Sequence, residues 1–216
     1  MTAAVTLHPE YAALMAAGVK WVETRPGPAF PVPGVRKLPG LTVRPGERLL
    51  IHAGMRLPKA RTTLGGFQIQ DDEDGVLAVT NYNDIRSDQS QWFPLHPGHI
   101  VASAVLRDCV PIVANSNDWQ WGNTNHIDRM GDTLILRTNT DGFCQDSDNV
   151  SDQLPCGDFT PGRWAWLLND VKPTTDRCPA CWGAGVVLAG CDWCNVEGTC
   201  QPIPAKGRQG VWRWQP

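Results

Sequence analysis

Residues 9–25 read Pro-Glu-Tyr-Ala-Ala-Leu-Met-Ala-Ala-Gly-Val-Lys-Trp-Val-Glu-Thr-Arg, and this stretch sets the first organised unit of the chain. Pro9 belongs in a first helical turn, Ala and Leu are strong helix formers, and Gly18 is a C-terminal stop, so a short helix is expected over 9–18. Tyr11, Leu14 and Met15 fall at helical spacing and form its buried face. Lys20 to Arg25 follow at once, rich in β-branched and aromatic residues and closed by Pro26, which predicts a strand.

Outward from this unit the pattern stays mainly β. Residues 26–46 are crowded with proline and glycine and predict a long surface loop. Arg48-Leu49-Leu50-Ile51-His52-Ala53 reads as a mostly buried strand, and His99 to Leu106 as another. Between them, Asp71 to Gly75 and the polar 81–91 are expected to form an exposed insertion. Residues 113–158 are expected to be similar, apart from a short strand at Thr133-Leu134-Ile135-Leu136. Arg163 to Leu168 and Gly210 to Trp214 complete the strand candidates. Short strands, few helices and long loops predict an α+β, mainly β fold, a small β-barrel with one or two packed helices.

Bulk properties bound the function. A chain of 216 residues, 42% hydrophobic, can bury a proper core, and one elaborated domain is expected. The start has neither a basic n-region nor an apolar h-region, and no later stretch is long enough to span a bilayer, so the expectation is a soluble, cytoplasmic protein without a membrane partner. In that compartment the eight cysteines read as metal ligands and buried thiols rather than as a disulfide framework. The net charge of −3 and the lack of a basic run argue against coating nucleic acid through its phosphates, so any such contact is expected to be local and pocket-like. Ten tryptophans stand against two tyrosines; most are expected in the core, with a minority free to stack on bases.

The sharpest motif is the cysteine cluster. Cys178-Pro179-Ala180-Cys181 continues as C-x-x-C-x-G-x-G, and Cys191-Asp192-Trp193-Cys194 repeats the pair. Two tight turns that each aim two thiolates at one point supply the four ligands of a structural zinc ion. Four thiolates leave no open position for catalysis, and Cys200 remains an alternative ligand. Residues 178–198 resemble the zinc knuckles of the DnaJ cysteine-rich region, although Val196 stands where the repeat has its first glycine. Residues 176–200 interrupt otherwise continuous strand material, so they are expected to be an insertion between 1–175 and 201–216, and a candidate docking point for another protein.

The remaining segments, Gly18-x-Lys20-x-x-Glu23-x-Arg25, Leu50-Ile51-His52-Ala53, Gly98 to Ala102, Pro161 to Trp166 and Gly207-x-x-Gly210-Val211-Trp212, in this order resemble the ASCH domain of the PUA-like superfamily. The resemblance implies a PUA-like barrel with a cleft near the G-x-K-x-x-E-x-R element, in a superfamily associated with RNA and modified nucleobases. Lys20 and Arg25 suit phosphate or a base edge, Glu23 an exocyclic amine, and a Trp such as Trp164 a stacked ring. His52 at the end of its strand and Arg208 in the last Gly-containing loop are further candidates for ligand contact. Strand alternation puts Glu23 and Arg25 on one face, with Lys20 joining them if it belongs to the turn after Gly18. The competing reading is an internal Glu23–Arg25 ion pair that pins the helix to the barrel.

Two further function classes stay open. Some ASCH-like proteins act as small amidohydrolases on acylated cytidines and others cleave RNA, which would make Lys20 and Glu23 catalytic; the hydrolase pattern wants a Thr three residues past the Lys, where this chain has Glu23, with Thr24 one position out of register. An interaction protein that docks through the knuckle and polar loops is the other. The chain has no P-loop, no G-x-G-x-x-G after a strand, no nucleophile elbow and no H-E-x-x-H.

Overall fold

A computed structural model describes residues 2–33, 35, 42–58, 63–64, 67–71, 77–81, 92–114, 125–140, 143–174, 203–207 and 210–214. The knuckle cysteines Cys178, Cys181, Cys191 and Cys194, Cys200 and Arg208 all lie outside the described residues. Chain order begins β1 (Thr2–Leu7), α1 (Pro9–Ala16), β2 (Val22–Arg25) and β3 (Arg48–Ala53). A run of short strands follows, β4 (Thr63–Leu64), β5 (Phe67–Asp71), β6 (Leu77–Asn81) and β7 (Trp92–Pro94). Then come β8 (His99–Val113), β9 (His126–Met130), β10 (Thr133–Thr140), β11 (Phe143–Asn149), a 3-10 helix (Ser151–Cys156), β12 (Trp164–Pro173), β13 (Ile203–Pro204) and β14 (Val211–Trp214). The fold is α+β and mainly β, and no helix among the described residues is long and apolar enough to cross a membrane.

β8 is the spine. It pairs with β3, β12 and β13 antiparallel and with β9 parallel, so its 15 residues thread through most of the main sheet. From β3 the pairing continues to β1 and β14, and from β12 to β2. Among the described residues no pairing closes this path into a ring. β1 and β3 are parallel neighbours, which demands a crossover, and α1 lies on that connection. The helix ends where Gly18 takes φ +76°, a left-handed conformation that a glycine adopts without the clash a Cβ brings.

The strand expected at 48–53 stands with those bounds. The helix stops at Ala16, and the strand expected from Lys20 begins at Val22, leaving Lys20 in the connection. Three regions depart from expectation. β1 had no strand signal, because its alanines carry little β propensity; it forms because neighbours on both edges satisfy its backbone, leaving Ala4 and Val5 fully buried. Between β3 and β8, the residues flanking the expected insertion form a four-stranded antiparallel sheet, β4-β5-β6-β7, that has no counterpart in the sequence reading and whose Ile69 and Val79 pack with Leu14 of α1, while 72–76 and 82–91 lie outside the described residues. The polar stretch 113–158 builds β9, β10, β11 and the 3-10 helix around a second core of Ile112, Ile127, Leu134, Leu136, Val150 and Phe159. The main core gathers Val5, Met15, Leu49, Ile51, Leu106, Trp164 and Trp166.

Candidate functional site

Lys20 is the largest fully buried side chain in the protein's described part, an ammonium group without access to water. Such burial is tolerated only if every donor is used. Its Nζ donates to the Val22 carbonyl at 2.5 Å and to the Cys156 carbonyl at 2.6 Å, and lies 3.3 Å from Glu23 Oε2. An ammonium has three N–H groups, and these three acceptors account for them. The Tyr11 ring adds a face 5.2 Å from the same nitrogen.

Glu23 is thereby aimed. Its Oε2 meets Lys20, and its Oε1 lies 3.0 Å from Arg25 Nε, while Arg25 Nη2 donates to the Thr6 carbonyl at 2.7 Å. The carboxylate is held by a cation on each oxygen and retains lone pairs for a further donor. The turn that carries Lys20 is held from a distant part of the chain. Gln153, fully buried in the 3-10 helix, accepts from the Trp21 and Val22 amides at 2.9 and 3.3 Å and donates to the Val19 carbonyl at 3.0 Å. Gln153 and the Cys156 carbonyl were missed in the sequence, where both sit in a polar stretch with no spacing that ties them to Lys20.

Glu23 and Arg25, with Lys20 behind them, face a cleft of about 800 Å³. Tyr11, Glu23, Thr24 and Arg25 line it from α1 and β2, His52 and Arg56 from the end of β3, and Asp158 and Arg163 from the approach to β12. The charged lining comprises three arginines, Arg25, Arg56 and Arg163, against two carboxylates, Glu23 and Asp158, a local positive balance in a chain of net charge −3. Arg163 lies 3.2 Å from Asp158 and donates to the Thr24 carbonyl at 3.3 Å. A hydrogen bond from the Thr160 hydroxyl, helped by the Arg163 charge, holds the Asp158 carboxyl below its usual range and so ionised. The Thr24 hydroxyl accepts from the Asp158 amide at 3.1 Å.

A second group at the cleft, around His52, is a set of neutral hydrogen bonds. His52, 1% exposed, has Nδ1 3.2 Å from the Thr6 hydroxyl and Nε2 3.0 Å from the Ala205 carbonyl. The Trp212 indole donates to the same hydroxyl at 3.0 Å, and its ring stands edge-on to the imidazole. A carbonyl only accepts and an indole N–H only donates, so His52 carries its proton on Nε2 and receives the Thr6 proton at Nδ1. Burial pushes the His52 pKa down and favours this neutral form.

The structure therefore brings Glu23, Arg25 and His52 to one cleft, with Lys20 directly behind Glu23 rather than on the surface. Trp164 is not with them: it pairs across the sheet from Arg25, but its ring belongs to the main core. The buried thiols of Cys109 and Cys156 are pushed up to about 12 and about 11 by desolvation, which leaves neither as a thiolate nucleophile near neutrality. No protein-family model matches the chain, and no curated protein matches it in sequence.

Proposed function

We propose that the cleft recognises RNA or a modified nucleobase or nucleoside, as part of an ASCH-type, PUA-like barrel that carries an inserted zinc knuckle. The observation that carries this reading is Glu23, fixed between Lys20 and Arg25 and facing a cleft rimmed by arginines. A carboxylate held from behind accepts from an exocyclic amine or a ring N–H, and the arginines attract a phosphate. Recognition is favoured over chemistry at Lys20, because all three of its donors are engaged and it does not line the cleft.

Hydrolysis of an acylated cytidine or of RNA is the second reading. It is favoured by one observation: Thr24, one place out of register in the sequence, lines the same cleft as Glu23. The zinc reading rests on the paired C-x-x-C spacing of Cys178, Cys181, Cys191 and Cys194, which suits one tetrahedral ion, and the same cysteine usage supports a reducing, cytoplasmic setting. Elemental analysis is expected to find one zinc per chain, lost in Cys178→Ser/Cys191→Ser.

The test of function is incubation of the protein with free nucleosides, acylated cytidines and short RNA and DNA oligonucleotides, with retention and products followed by mass spectrometry. Retention of an unchanged ligand, lost in Glu23→Gln, is the expected result. Turnover, lost in Thr24→Ala, moves the protein to the hydrolase class. Neither retention nor turnover across the panel overturns both and leaves docking of another protein.

A further inference from the structure

The chain leaving β3 does something a core-forming strand end does not require: it puts Met55, Arg56 and Leu57 out into solvent. Met55 is 75% exposed and Leu57 45%, and with Met130 they are the exposed large hydrophobic residues among those described. Exposed apolar side chains scattered singly call for no explanation, but two in one tip flanking a cation at the mouth of a cleft do. Met55 and Arg56 both line that cleft.

The tip stands on a rigid base. The Gly54 amide donates to the Leu7 carbonyl and the Gly98 amide to the Ala53 carbonyl, each at 2.8 Å, so the end of β3 is tied on both sides. A Cβ on Gly98, whose φ is +75°, would lie 2.5 Å from Met55 Sδ, so the absence of a side chain at 98 is what lets the Met55 thioether rest where it does. The tip itself carries a cation, the exposed Arg56, and the cleft lining beside it holds three arginines, Arg25, Arg56 and Arg163, against the carboxylates Glu23 and Asp158. Apolar wedge and cations together match a stacked polynucleotide, in which bases offer apolar faces and the flanking phosphates offer charge.

We infer that the Met55–Leu57 tip is a wedge that enters the stack of a base-paired nucleic acid and fills the gap left by a base turned out into the cleft, with Arg56 on an adjoining phosphate. The inference rests on the cleft being a nucleobase site and adds the substrate form: a base within a paired strand rather than a free nucleoside. Removing a base from a stack costs a few kcal/mol, and a side chain that occupies the vacancy recovers part of it.

The probes are short RNA and DNA hairpins carrying one fluorescent aminopurine, whose emission rises on unstacking, alongside the free nucleosides. Wild-type protein is expected to bind a hairpin and raise its emission. Met55→Ser/Leu57→Ser is expected to weaken hairpin binding about tenfold, the equivalent of one stacking contact, and to lose the emission change; Leu57→Ser alone, outside the cleft lining, is expected to give part of that loss with nucleoside retention and melting temperature unaltered. Met55→Leu is expected to retain both. Arg56→Gln lowers the salt slope of hairpin binding by about one. The RNA and DNA arms distinguish the source of the strand. Hairpin binding unchanged in the double variant overturns the wedge, as does nucleoside retention by a wild-type protein that ignores hairpins. Failure of wild-type protein to bind either overturns the cleft reading itself.

Discussion

Two groups at the cleft, a charged wall and a neutral wall, solve the same problem in opposite ways. In the first, Lys20, Glu23 and Arg25 place full charges beside the core, and each is stabilised by the next. In the second, Trp212, Thr6, His52 and Ala205 form a chain of neutral hydrogen bonds in which each donor meets one acceptor. A buried ion pair tolerates no missing member, because the partner left behind is a bare charge; a neutral chain loses only the bonds that are cut. The charged wall is therefore a support that loss of one member breaks, and the neutral wall is the part that responds to small changes of shape and, through His52, to pH.

The largest expected effect follows from removing the ammonium. Lys20→Ala leaves Glu23 Oε2 and two buried carbonyls without their donor, and is expected to destabilise the protein by about 3–5 kcal/mol in urea unfolding. Lys20→Met/Glu23→Gln, which removes both charges, is expected to lose less than Lys20→Met alone. A Lys20→Ala protein that unfolds at the wild-type midpoint would break the comparison at its root. The neutral wall gives a smaller effect in Gly207→Ala. A Cβ there falls 2.0 Å from His52 Cε1, so ring or loop must shift, at a cost of about 1–3 kcal/mol typical of overpacking, visible as a lower melting temperature and a displaced His52 ring resonance.

The pH test separates the walls directly. Burial lowers the His52 pKa below that of the unfolded chain, so between the two values the unfolded state binds more protons. Stability is then full above about pH 6.5, the ordinary histidine value, and falls as the pH drops through it toward the folded pKa. His96 is shifted down in the same direction, by burial and then by His99, and contributes to the same slope. Unfolding measured across this range is expected to lose part of its pH dependence in His52→Gln and a further part in His52→Gln/His96→Gln. A slope unchanged in His52→Gln would remove the neutral wall from the account.

How much of this was legible in the sequence depended on chain separation. Lys20, Glu23 and Arg25 lie within six positions, so one motif exposed them, and the apolar run ending in His52 gave its strand with the observed bounds. Cys156 reaches Lys20 across 136 positions and Gln153 reaches Trp21 across 132, through a backbone carbonyl and a side-chain amide, groups that leave no spacing to detect. Glu23 is both a member of an ion-paired set and part of the cleft lining. Trp164 shows the opposite failure: ring type suggests stacking on a ligand, whereas the ring packs in the main core although its cross-strand partner Arg25 lines the cleft.

Thr6 is where the walls meet, and it gives the finest test. Its carbonyl accepts from Arg25 of the charged wall, while its hydroxyl accepts from Trp212 and donates to His52. Thr6→Val keeps the shape, the strand pairing and the carbonyl, so the bond to Arg25 survives; it removes only the hydroxyl. The indole N–H and His52 Nδ1 then lose a partner each, at a cost of about 0.5–1.5 kcal/mol per bond. Thr6→Ser restores the hydroxyl and is expected to recover most of that loss. Because Nδ1 no longer receives a proton from the hydroxyl, the choice of Nε2 as the protonated nitrogen rests on Ala205 alone, and nitrogen chemical shifts of His52 are expected to show a greater share of the other tautomer in Thr6→Val. If instead that substitution weakens Lys20–Glu23–Arg25, seen as a loss of stability matching Lys20→Ala, the walls are one network joined through Thr6, and their separate responses to charge and to pH have to be derived together.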